Sequence, residues 1–401
     1  MKRLIAGAAG LLACGGAQAQ AVKLTPSVDA RLRTEHVDQD GLPRDADAVT
    51  LRVRPGVTAS LEGWSALIEG EGVVALADGY NDGTNGKTAY PLVVDPENLE
   101  LNRAQIRYAA NGAAFTAGRQ RIALADERFV GPAAWRQSEQ TFDALRVQLG
   151  TPKGFSTDVT WARGVRTING RNGTGARPTA IGGDNLFALV NYGFKAGTLT
   201  GFAYLVDQDS AAVQGFRLSS QTYGVRFAGS APIGKDLKLG YVASLARQSD
   251  WRRNPNDYAA TYAIAEASLT AKAVTATAGY ELLGADKGAA LTSVQTPLAS
   301  YFRFNGWAGK FGTTPPNGLR DLYGTLGHGW KKAGPFDAIN LSATLHRFDS
   351  DRLSQHYGDE LDLLASVKRG HYVLAARYAH YKADAFATDT DKFWLQLDWS
   401  L

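Results

Sequence analysis

Residues 50–61, TLRVRPGVTASL, alternate strictly: Leu51, Val53, Val57 and Leu61 fall on one side, Arg52, Arg54, Thr58 and Ser60 on the other. Successive side chains of a strand point to opposite faces of its sheet. This segment therefore reads as a strand with one apolar face and one charged face. The pattern recurs. In SVDARLRTEH, Val28, Ala30 and Leu32 oppose Asp29, Arg31, Arg33 and Glu35. In RAQIRYA, Ala104, Ile106 and Tyr108 oppose Arg103, Gln105 and Arg107. About 18 such segments run through the chain, with no convincing long helix between them. Nor does any stretch approach the roughly 18 apolar residues that a membrane-spanning helix needs.

The connections alternate in length. Residues 37–48 are followed by the short turn LEGW, residues 78–98 by AANGA, and residues 122–140 by GTPKGF. Longer connections continue at 167–184, 208–217, 249–257, 284–319, 350–358 and 382–390. A long/short rhythm over an even number of strands is the pattern of a bacterial outer-membrane barrel, with short periplasmic turns and long extracellular loops. The expected fold is all-β, a transmembrane antiparallel β-barrel of about 18 strands with both termini periplasmic. Closure follows from backbone chemistry, because each unpaired amide in lipid costs several kcal/mol. The apolar faces then meet outer-membrane lipid and the charged faces line the lumen, with Tyr108 and Phe115 suited to the interfacial girdles. The terminal KFWLQLDWSL places Phe393, Leu395, Leu397, Trp399 and Leu401 on one face. Such a face at a free end is an aggregation liability in water. In a barrel it is a lipid face and a recognition signal for the barrel-assembly machinery.

The start, MKRLIAGAAGLLACGGAQAQ, joins a basic pair, a short apolar run and Ala17-Gln18-Ala19. It reads as a secretory signal peptide over residues 1–19, leaving residues 20–401 as a single barrel domain. A lipoprotein signal at Cys14 is the rival, and Leu12 suits it poorly. Cys14 is the only cysteine, so the mature chain carries no disulfide, thiol nucleophile or Cys-based zinc site. A formal charge of +4, which drops by Lys2 and Arg3 on cleavage, gives no argument for a nucleic-acid partner.

The informative charges are local. Arg31 and Arg33 on the first strand, Arg52 and Arg54 on the second, Glu69 and Glu71 on the third, Arg103, Gln105 and Arg107 on the fourth and Arg146 on the sixth share the lumen face. Neighbouring strands lie about 4.8 Å apart, so these side chains form a lateral ladder. A ring of Arg is the expected filter for anions. An internal salt-bridge lattice using Glu69 and Glu71 is the competing reading, and the two can coexist. In RFVGPAAWRQSEQTFDALRV, residues Arg128, Trp135, Arg136, Gln137, Glu139 and Gln140 are expected to anchor a loop that folds into the mouth and to touch solute. Alternation from Phe115 and Ala117 points Arg119 outward. Either Gly118 marks a bulge that resets the parity, or Arg119 and Arg121 lie above the membrane.

Other signals point to little chemistry. DGYNDGTNG (78–86) has oxygen ligands among glycines but lacks the EF-hand spacing, and turn chemistry accounts for it better. The six His form no HExxH motif and no GxSxG elbow is present, so neither enzyme activity, cofactor nor metal is expected. Residues 284–319, with Pro297, Pro315 and Pro316, are either a lid over the pore or a mobile surface loop.

LNRAQIRY, GRQRIAL, RFVGPAAWRQSEQTFDALRV and the terminal KFWLQLDW resemble the alginate-export family of outer-membrane barrels, and more closely its divergent porin-like members. The resemblance implies an 18-stranded barrel whose basic lumen passes an anionic polysaccharide or smaller anionic solutes. The expected function is passive passage of anionic, carbohydrate-like solutes by a monomer or small homo-oligomer. A dedicated exopolysaccharide export pore is one alternative; a secreted or lipid-anchored soluble β carbohydrate-binding protein is another.

Overall fold

The computed structural model describes residues 21–401. The segment expected to be a signal peptide, residues 1–19 with Cys14, lies outside the described residues. Eighteen strands follow in chain order: β1 (Lys23–Gln39), β2 (Ala46–Leu61), β3 (Trp64–Gly79), β4 (Asn98–Ala110), β5 (Ala113–Gln120), β6 (Thr141–Gly150), β7 (Gly154–Arg166), β8 (Ala180–Phe194) and β9 (Gly197–Val206). The second half comprises β10 (Ser220–Pro232), β11 (Leu237–Asp250), β12 (Ala259–Ala271), β13 (Val274–Leu283), β14 (Leu319–Ala333), β15 (Phe336–Asp349), β16 (His356–Arg369), β17 (Tyr372–Ala383) and β18 (Thr390–Ser400). Each pairs antiparallel with its neighbours, and β1 pairs with β18 from Asp29↔Ser400 to Gln39↔Thr390, which closes the sheet. The start of β1 and the C-terminus lie at the rim that carries the short turns, where Leu401 N–H donates to Val28 O.

The two faces follow the alternation. Leu32, Val53, Ile68, Ile106, Tyr108, Leu145, Val147, Leu395 and Leu397 are exposed on the outside. Arg33, Arg52, Glu71, Phe187, Tyr262 and Trp394 are buried inside. An exposed apolar band this extensive has no place on a soluble protein, which sets aside the soluble alternative. The packed core lies within the barrel, where inward-folded loop residues such as Val130, Val294, Leu298 and Phe311 meet Phe142, Phe187, Tyr204, Phe348 and Tyr381 of the wall.

Local irregularities aim particular side chains. Between β3 and β4 the register runs Glu69↔Arg103 and then Gly70↔Leu101, so Asn102 is an extra residue. A bulge of this kind re-aims side chains, and here Asn102 is fully buried and donates to both Glu69 and Glu139. Gly118 adopts φ +112°, and a Cβ there would lie 2.3 Å from Ala104 O. No register shift occurs along β5, so Gly118 does not reset the parity. Arg119 points outward near the loop end of β5, where its Nε meets Asp143 Oδ1 at 2.8 Å. Arg121, just beyond the strand, donates to the Glu139 carboxylate.

Candidate functional site

Two long loops turn into the barrel and meet inside it. They are residues 121–140 between β5 and β6, here L3, and residues 284–318 between β13 and β14, here L7. Val130 bridges Leu298. Gly131 N–H donates to Leu298 O at 2.9 Å and Ser300 N–H to Glu127 O at 3.1 Å. Gln140 Nε2 reaches both Gly131 O (2.8 Å) and Leu298 O (3.1 Å). The result is a septum across the lumen. L7, whose sequence left open a lid or a mobile surface loop, is a built part of the interior.

One end of the septum is fixed to the β9–β13 wall. Buried Arg128 donates from Nε to Glu281 Oε1 (2.6 Å), from Nη1 to Thr296 (3.2 Å) and from Nη2 to Asn305 (2.9 Å). Burial alone would lower the Arg128 guanidinium's pKa, but the Glu281 carboxylate reverses this and holds it above its ordinary value. Phe129 packs on Phe202, Tyr204 and Tyr262 beside it.

The other end is held by the arginine ladder. Arg31 Nη1 donates to the carbonyls of Ala134, Trp135 and Arg136 at 3.0–3.3 Å. Arg33 Nη2 donates to Trp135 O, and Arg54 Nη2 to Gln137 O at 3.0 Å. An ordered loop leaves its carbonyls unpaired, and a buried unpaired acceptor is costly; three guanidiniums meet that need here. The ladder is also neutralised laterally. Arg31 pairs with Asp398, Arg33 with Asp95, Arg52 with Asp29, and Arg54 with Glu71 and Glu139. Arg103 pairs with Glu69, Arg136 with Glu35 and Asp95, and Arg146 with Asp158. Gln137 completes the join, taking Asp95 Oδ1 on its N–H (2.8 Å) and giving Nε2 to Thr50. Glu139 is fully buried. Burial would raise its pKa, but Arg54 and Arg121 prevail and hold its carboxyl below the ordinary value.

The structure thus brings together Arg31, Arg33, Arg52, Arg54, Glu69, Glu71, Arg103, Trp135, Arg136, Gln137 and Glu139 around the docked end of L3. Arg128 and Gln140 serve the opposite end and the L3–L7 join. Gln105 makes no side-chain hydrogen bond among the described residues, while Arg107 lines a cavity at the short-turn mouth with Gln148 and Asp158. The sequence reading missed Asp95, Asn98 and Asn102, which tie L3 to the wall, and named no site residue in L7. L7 ends on β16, where Trp307 N–H donates to Asp362 Oδ2 (3.2 Å) and Ala308 N–H to Glu360 Oε1 (2.7 Å). In the 78–86 loop, Asp82 Oδ1 accepts from Thr84 N–H (2.6 Å), Thr84 Oγ1 (2.9 Å) and Asn85 N–H (2.7 Å), as turn chemistry requires.

Two cavities lie beside L7. On the long-loop side a cavity of about 530 Å³ is lined by Trp135, Arg136, Phe302, Trp307 and Lys310. On the short-turn side a cavity of about 460 Å³ is lined by Glu266, Asp321, Tyr323, His346 and Asp362. Phe304, Asn305 and Trp307 line both. The wall charges are segregated. The β17–β18–β1–β2 sector presents Arg377, Lys392, Arg31, Arg33, Arg52 and Arg54 inward against Asp29, Glu35 and Asp398, whereas β12–β16 present Glu266, Glu281, Asp321, Glu360 and Asp362. Lys310 on L7 is pushed down to about 8 by its burial and then by Lys392.

Comparison with known proteins assigns this architecture. The family model described as alginate export matches residues 23–288. The chain belongs to the alginate export family. Its outward lipid face and closed 18-stranded sheet make it a multi-pass β-barrel of the Gram-negative outer membrane. Among solved structures it is similar to OccAB4 of Acinetobacter baumannii, at 11% identity and a TM-score of 0.73 over 96% of this chain and 100% of that one. OpdO of Pseudomonas aeruginosa gives 14% identity and a TM-score of 0.68 over 94% and 97%. The outer membrane protein opdK of the same organism gives 13% and 0.68 over 94% and 98%. At these identities the likeness is one of fold. No curated protein sequence matches the chain.

Proposed function

We propose that this alginate export family barrel is a passive channel for anionic, carbohydrate-like solutes and has no enzymatic activity. The observation that carries the reading is the pinned septum. L3 is tied to opposite walls by buried ion pairs, Arg128 to Glu281 and Glu139 to Arg54, and L7 is tied to β16 by the Trp307 and Ala308 N–H groups on Asp362 and Glu360, which favours a fixed passage over a collapsible one. Cations outnumber carboxylates on the β17–β2 sector beside it, which favours an anion travelling along that wall. The hydroxyl-rich, partly aromatic lining offers a sugar both hydrogen bonds and ring faces. Family membership favours a second reading, a dedicated exopolysaccharide export pore. Planar-bilayer recording of the purified protein separates them. A stable open conductance with anion preference supports the diffusion channel. A silent pore overturns it in favour of export, and a cation-selective one overturns the basic passage.

A further inference from the structure

The guanidiniums that dock L3 are already engaged, so the passage needs another cation if it is to hold an anion. Arg377, on the lumen face of β17 with Ala375, Ala379 and Tyr381, meets that condition. It makes no hydrogen bond and no ion pair among the described residues, and its Nη1 is buried without a partner. The rest of the side chain is only half-buried, which turns the remaining edge of the fork to lumen water. Its guanidinium carbon lies over two indole rings, 4.6 Å from the Trp135 ring centre on L3 and 5.8 Å from that of Trp307 on L7. Aromatic cover of this kind orients a guanidinium and keeps its in-plane donors free.

Two further donors stand unmet beside it. Trp135 Nε1 and Trp394 Nε1 are buried without acceptors, and the two rings meet edge to face with centres 5.8 Å apart. Trp394 is the cross-strand partner of Arg377. One acceptor nearby is also open, Glu35 Oε1 across from Trp394, so donors remain in excess. Buried donors are satisfied in nearly all native structures, and a cluster left over in a channel wall is a place where a passing group supplies the acceptor.

We propose that Arg377, packed against the Trp135 and Trp307 rings with the unpaired Trp135 and Trp394 indole N–H groups nearby, is the residue that binds a solute carboxylate in the passage. This rests on the reading of the barrel as an anion channel and names the group recognised: a planar carboxylate on a compact solute, taken two-pronged by the guanidinium edge.

The test uses D-galacturonate against D-galactose, which differ in the carboxylate, on wild type, Arg377→Gln, Arg377→Lys and the exposed-turn control Arg369→Gln. Retained heat-modifiable gel migration shows that each barrel is folded. In bilayers, galacturonate and not galactose interrupts the wild-type current. Arg377→Gln weakens this at least about tenfold, the scale of one lost charge-assisted contact. Arg377→Lys restores the anion-to-cation permeability ratio but not the galacturonate residence time, because the charge returns without the fork. Arg369→Gln behaves as wild type. Calorimetric titration of galacturonate into detergent-solubilised protein reads the same site whether or not the barrel conducts. Loss of binding in Arg377→Gln with a cation-selective wild type keeps the site and removes the anion-channel reading. Galacturonate affinity within twofold of wild type in Arg377→Gln overturns the assignment, whatever the channel's selectivity.

Discussion

Replacing Arg54 with Ala separates a docking arginine from a filtering one. The Arg54 side chain is 4% exposed, and its carboxylate partners Glu71 and Glu139 are fully buried. The change removes the Nε contact to Glu71 (2.5 Å), the contact to Glu139 (3.4 Å) and the bond to Gln137 O (3.0 Å). Glu139 keeps Arg121 and Asn102, but Glu71 keeps only Asn98 Nδ2 at 3.2 Å. Breaking a buried pair by removing one partner costs about 3–5 kcal/mol, and an orphaned buried carbonyl about 1–3 kcal/mol. Lumen water reaching the vacated space relieves part of this, so about 3 kcal/mol is the expected loss in L3 docking. At about 1.4 kcal/mol per decade, the docked-to-undocked ratio falls roughly a hundredfold. Single-channel recording then shows the steady wild-type open level replaced by flicker and a higher mean conductance. Adding Glu71→Gln to Arg54→Ala restores part of the steadiness by removing the orphaned charge. If Arg54→Ala keeps the wild-type conductance and noise and changes only the permeability ratio, Arg54 acts through its field and the docking argument fails.

Two further outcomes follow from the same geometry. Gly118→Ala forces a Cβ within 2.3 Å of Ala104 O at a positive φ, strain worth at least about 1–3 kcal/mol, so the heat-modifiability midpoint falls; an unchanged midpoint contradicts it. For Lys310, the docked pKa is depressed from 10.5 to about 8. Between those values the undocked lysine holds a proton that the docked one has released, so L7 attachment strengthens as pH rises through that window, and is weakest below about 8 where both are charged. Over the same rise the long-loop cavity loses one positive charge, so anion preference declines from pH 7 to 9. Lys310→Gln removes that step, and a wild-type permeability ratio flat across pH 8 rules it out.

The barrel was legible because its grammar is local. A lipid-facing strand shows itself in a period of two, so the parity of Arg31, Arg52 and Leu145, the long/short rhythm and the segments that became β1–β18 all follow from neighbours in sequence. The destination of L7 was not legible, because its fixed points are distant in the chain. Trp307 and Ala308 rest on Asp362 and Glu360 of β16, and Phe311 packs on Phe348. The residues of the site were largely visible while their roles were not. Arg31, Arg33 and Arg54 read as a filter or a salt-bridge lattice and not as loop anchors, because the loop acceptors they serve are backbone carbonyls of residues 134–137, which have no side-chain signature. Asn102 enters through a one-residue bulge that alternation cannot register.

Arg377 is the converse case. In YVLAARYAHYKA its parity assigns it to the lumen, but a single Arg among Ala and Tyr carries no cluster signal beside the ladder on β1 and β2. Which arginine is free depends on how every other one is matched. Asp398 claims Arg31, Asp95 claims Arg33, Glu71 and Glu139 claim Arg54, and Glu281 claims Arg128. Those matches join strands and loops up to hundreds of residues apart. A count of basic residues therefore locates the charged wall, and the matching of donors to acceptors locates a guanidinium left to meet a solute.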